Sequence, residues 1–179
     1  YYNRNAKSLP DSLQSFEVFK SKKDEKAGNF LRYLLLAKMC EKFAVNEISS
    51  AWDYNASKKN TKKFDATYIN KGLKIWLEKS TDIFMKERYW FQLVRSAYFN
   101  ESPQDAIKVF DEYEKEMPRN TMYYRTLSYT AGAYYQLKNF SKANYYFSRV
   151  YDECDELKPS AHFSFHPQEE ADWKATLAL

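Results

Sequence analysis

Glycine and proline are scarce, at three and five in 179 residues. Sandwiches and barrels need many tight turns, so the shortage argues against a sheet-built fold and for long helices. Histidine is reduced to two residues, His162 and His166, which leaves little material for a nucleophile with a positioned imidazole base. A phosphate-binding glycine loop, a dinucleotide glycine pattern, HExxH and CxxC are all missing from the sequence. The longest apolar cluster, around residues 33–37, falls far short of the roughly 20 residues that a membrane-spanning helix requires. Charge of one sign is also lacking: 28 basic against 24 acidic residues leave a net +4, too little by itself to imply nucleic acid. The two cysteines, Cys40 and Cys154, lie far apart within helical patterns. They are expected to be buried free thiols, with a disulfide or a reactive thiol as the alternatives.

What the chain does have is aromatic mass. Phe, Tyr and Trp make up 18% of it and hydrophobic residues 44%, enough to build a packed core. Asp11 can cap a short first helix carrying Leu13, Phe16, Val18 and Phe19. Residues 27–44 repeat apolar side chains at three- and four-residue spacings, through Phe30, Leu31, Leu34, Leu35, Met39 and Phe43. Residues 45–57 read as a short helix or a packed loop, and the KKNTKK run at 58–63 as a solvated loop or a phosphate contact. A helix over 64–79 contains Gly72, which costs about 1 kcal/mol of propensity and so marks a candidate close crossing. Ser80 or Thr81 is positioned to cap the next helix, which runs to about Phe99. Pro103 suits a helix start, and Ser102 with Asp105 resembles a capping box. Pro118 closes that helix. Residues 121–155 then form a helix pair joined by a short polar turn, with Ala131, Gly132, Ala133 and Ala143 set among tyrosines. Small side chains facing large ones allow helices to approach closely. Beyond Pro159 an irregular aromatic loop is expected, then a last helix opened by Pro167. The first residue is Tyr rather than Met, and the apolar pattern of Trp173, Leu177 and Leu179 is still running at the end, which suits a fragment of a longer chain.

Two stretches overlay with Ala106 and Ala143 as anchors, 37 residues apart. Trp90, Leu93, Ala106, Phe110 and Pro118 in the first, and Ala131, Tyr134, Phe140, Ala143 and Phe147 in the second, resemble the tetratricopeptide repeat family. The likeness is clearest over residues 86–159. Val94, Ala97, Tyr113 and Val150 depart from the family pattern. The resemblance implies an all-α fold of stacked helical hairpins in a right-handed α-α superhelix. It divides the chain into divergent helices over 1–80, repeats at 81–118 and 121–159, and the start of a further repeat at 167–179.

In the family the first helix of each repeat lines an inner groove. Carried over by motif position, the groove residues are Arg88, Phe91, Arg95 and Tyr98, then Arg125, Ser128, Gly132 and Tyr135. Three arginines on one surface would suit carboxylates, hence a protein or peptide partner of acidic character. Pairing of these arginines with acids of neighbouring helices is the alternative. The family's carboxylate-clamp asparagines and lysines are not matched. The resemblance therefore implies a non-catalytic scaffold for protein–protein contacts, with no cofactor, no metal and no insertion into a membrane. Its rivals are a single-stranded nucleic-acid-binding repeat and an accessory domain of a larger enzyme. His162 and His166, with Glu169 and Glu170 nearby, are of types that bind zinc, but Pro167 interrupts a shared helical face. The carboxylates at Asp111, Glu112, Glu114 and Glu116, and at Asp152, Glu153, Asp155 and Glu156, read as solvated faces rather than a paired catalytic site. Unpaired cysteines fit a cytoplasmic setting, whereas the Tyr-, Asn- and Lys-rich composition resembles bacterial cell-envelope repeat proteins.

Overall fold

The structure, a computed structural model, describes residues 25–51, 66–100, 102–165 and 169–179. The readings at 11–19, 52–57, 58–63, Phe64, His166 and Pro167 lie outside them. The described residues are all-α, with no strand. Eight helices follow in order: α1 (Glu25–Ala51), α2 (Thr67–Lys79), α3 (Ile83–Phe99), α4 (Pro103–Tyr113), α5 (Thr121–Gln136), α6 (Phe140–Glu153), α7 (Lys158–Ser164) and α8 (Glu170–Leu177). Short 3-10 turns at Glu114–Glu116 and Asp155–Leu157 close α4 and bridge α6 to α7.

Packing is by neighbouring pairs. α3 touches α1, α2, α4 and α5, while α5 touches α3, α4 and α6. So α1 and α2 stand to α3 as α3 and α4 stand to α5, which extends the pairing into the segment whose sequence diverges most. The core follows from the aromatics. Trp90 is fully buried, stacked on Phe110 at 5.2 Å, and its indole N–H donates to the Val109 carbonyl at 3.1 Å. Tyr123 meets both rings at 5.9 Å, and Phe110 continues to Tyr146. Ala106 and Ala143 are each the fourth residue of their helix and each fully buried, with buried Phe110 and Phe147 four residues further on. A side chain larger than methyl at either alanine would hold the facing helix away.

The helix ends differ from expectation in instructive ways. Asp82 itself caps α3, accepting from Phe84 N–H at 3.0 Å, in place of Ser80 or Thr81. Ser102 makes no side-chain cap, so the expected box with Asp105 does not form; a reciprocal box is built instead by Glu169 and Asp172 at α8. α5 ends with Lys138 at φ 59°, its N–H bonded to Tyr135 O and that of Asn139 to Tyr134 O. This is the left-handed closing turn in which glycine is the usual occupant. Cys154 sits just past α6 as its C-cap rather than within it. The loop expected after Pro159 is instead α7: proline is tolerated in a first turn, where its missing N–H is not needed, and buried Ala161 anchors the helix. Gly72 meets only Leu36, whose methyl would lie 3.4 Å from an added Cβ, an ordinary contact that does not demand glycine.

Candidate functional site

The groove residues predicted from motif position divide into three groups. Arg88 is already committed. Its guanidinium lies 2.6 Å from Glu87, donates to Phe84 O at 2.8 Å, and sits 3.3 Å over the Phe84 ring. Glu87 is only 6% exposed, and its second oxygen accepts from the Asn120 amide at 2.7 Å. Asn120 turns its own oxygen to the N–H groups of Met122 and Tyr123, capping α5. One buried carboxylate thus ties Arg88 on α3 to the start of α5, and Arg88 pairs within its own helix rather than with a neighbouring one. The sequence reading missed this joint, because Glu87 and Asn120 are 33 residues apart.

Arg95 and Arg125 are the second group. Arg95 is half-buried, 5.8 Å over the Phe99 ring, and its Nε is buried without a hydrogen-bond partner. Burial pushes the nearby Cys40 thiol up to about 12, with the Arg95 charge opposing that shift. Arg125 is exposed. Both cysteines are free and buried.

The third group converges. Tyr98 packs against Tyr129 at 5.4 Å, as does Phe91 at 5.9 Å. Tyr98 also lies over Gly132, where an added Cβ would come within 2.9 Å of its ring. The close approach of α3 and α5 therefore depends on glycine at that position. Tyr98, Ser128, Tyr129 and Gly132 line one side of a cavity of about 180 Å³. α7 lines the other with Ser160, Ala161 and Ser164. Motif position selects Ser128 in place of its neighbour Tyr129, and the sequence beyond Pro159 predicts a loop where α7 forms this wall. Tyr135 is exposed at the end of α5, its ring 5.1 Å from Phe140, and takes no part in the cavity.

Other features carry less chemistry. A cavity of about 470 Å³ lies between the start of α1 and the α2–α3 connection, but Asp82, its carboxylate, is used in capping α3. Adjoining the cavity between α3, α5 and α7, and sharing Phe147 and Ala161 with it, a cavity of about 190 Å³ is bordered by Tyr151, His162 and Phe165. His162 rests against the Tyr151 ring there. Among the described residues no group of three His, Cys, Asp or Glu is placed to hold a metal, and no helix is long and apolar enough to cross a membrane. The acidic clusters meet cations at the surface: Glu112 with Lys74, Glu114 with Arg119, Glu116 with Lys86, Glu153 with Arg149, and Asp155 with Lys158. No protein-family model, curated protein or solved structure matches this chain.

Proposed function

We propose that the chain is a non-catalytic helical-repeat scaffold of tetratricopeptide type, its hairpins wound in a right-handed superhelix, that binds a protein or peptide segment on the face formed by α3, α5 and α7. The observation that carries this reading is the meeting of Tyr98, Ser128 and Gly132 around one cavity, walled on its far side by α7. Partly buried tyrosine gives a contact surface of the kind that anchors partners. Arg125, exposed, and Arg95, with its unpartnered Nε, supply positive charge one helical turn from Ser128 and Tyr98. That charge favours an acidic segment. Arg88 drops out of the binding set, since Glu87 already neutralises it.

The test is selection of peptides from a random displayed library on the 179-residue chain. Acidic peptides are expected to be enriched, and the double change Arg95→Ala with Arg125→Ala should weaken them about tenfold or more while helical circular dichroism is retained. Selection that enriches nothing, or peptides indifferent to the double change, overturns the reading.

A further inference from the structure

We propose that the cavity between α3, α5 and α7 takes a tyrosine side chain of the bound segment, its phenol hydroxyl donating to serine oxygens of the wall; this rests on the groove reading above. Size comes first. The space is about 180 Å³, and an apolar protein cavity of about 150 Å³ accommodates benzene. The space is open to solvent on one side and has room for one substituted six-membered ring.

The walls set the chemistry of that ring. Tyr98, Tyr129 and Phe147 offer aromatic surface, the Tyr98 ring itself lying over Gly132. Aromatic rings pack well in such a setting by edge-on or offset contact. The polar rim then chooses among rings. A serine hydroxyl has one hydrogen and two lone pairs. Ser128 donates that hydrogen to Tyr124 O at 3.0 Å, and Ser160 donates to Leu157 O at 2.9 Å. Both oxygens keep lone pairs for a ligand, so a donor on the occupant meets two acceptors. A phenylalanine fills the space and leaves the acceptors unmatched. A lysine would donate, but Arg95 and Arg125 stand one turn away on α3 and α5 and repel it. A phenol satisfies size, aromatic packing and donor sense together, and the same arginines favour acidic residues beside it.

The test uses the side-chain analogues p-cresol, toluene and 3-methylindole on the whole chain, with the alanine methyls carbon-13 labelled. p-Cresol is expected to shift the Ala161 methyl and to bind about two- to tenfold more tightly than toluene, the range of one net hydrogen bond. Ser128→Ala should shrink that advantage without abolishing toluene binding, and Ser164→Leu, which fills the space, should abolish both. An unresponsive Ala161 methyl overturns the proposal. So does toluene or 3-methylindole binding as tightly as p-cresol, or an advantage for p-cresol that survives both Ser128→Ala and Ser160→Ala. Should the library yield arginine-dependent peptides that lack tyrosine, the groove reading stands and the tyrosine anchor falls.

Discussion

Two glycines in helices, Gly72 and Gly132, have opposite reasons for being there. Replacing a helical glycine by alanine returns about 1 kcal/mol of propensity. At Gly72 the new methyl meets a Leu36 methyl at 3.4 Å, so Gly72→Ala is expected to stabilise the fold by about 0.5–1 kcal/mol. At Gly132 the methyl meets the Tyr98 ring at 2.9 Å, and that ring is held by Phe99 and Tyr129. Overpacking there outweighs the propensity gain, so Gly132→Ala should destabilise by about 1 kcal/mol. Urea midpoints for the two variants check the signs, and a stabilised Gly132→Ala would contradict the close crossing. The sequence flagged both residues as possible crossings. Only the distances separate them, because propensity is local and the clash comes from another helix.

At the level of elements, caps decide where helices begin, and similar residues do dissimilar work. Asn120 satisfies two N–H groups of α5 and holds buried Glu87, whereas Ser102 makes no side-chain cap at α4. Asn120→Ala is expected to cost about 1–2 kcal/mol, and Ser102→Ala less than about 0.5. Thermal unfolding of the pair tests this; equal losses would mean the Glu87 joint carries no weight. Helix interiors were legible from apolar spacing, as in α3 and α5. The ends were less so, since a motif such as Ser102 with Asp105 is compatible with a cap without compelling one. α7 went unread because seven residues with a proline in the first turn show too short a period to register.

Across the whole molecule the tyrosines spread through α3, α4 and α6 act together at high pH. Burial pushes Tyr89, Tyr113 and Tyr146 up to about 12, with Glu112 adding to the effect at Tyr113. In the unfolded chain a tyrosine ionises near pH 10. Between these values the folded state holds protons that the unfolded state has lost, so the stability these hydroxyls contribute is complete below about pH 10 and falls as pH rises towards 12, while that of the Cys40 thiol starts to fall nearer pH 9. The urea midpoint measured from pH 8 to 12 should decline over that upper window, and Tyr146→Phe should make the decline shallower. A flat profile would mean that these hydroxyls are solvated in the folded state. α3, packed on four other helices, is where the loss of Tyr89 should be felt most widely.

Composition and spacing determined the fold class and the positions of most helices, together with the equivalence of Ala106 and Ala143. These depend on contacts within a helix or on side-chain size, which the chain carries locally. The resemblance to tetratricopeptide repeats, by motif position, nominated Tyr98, Ser128 and Gly132. The tertiary structure alone decided that Glu87 ties up Arg88, that Tyr129 and α7 complete the cavity, and that Ser128 and Ser160 turn their hydrogens to backbone carbonyls. Each of these depends on where a group's partner lies after the helices pack, and a partner 33 residues away leaves no mark on the pattern around either residue.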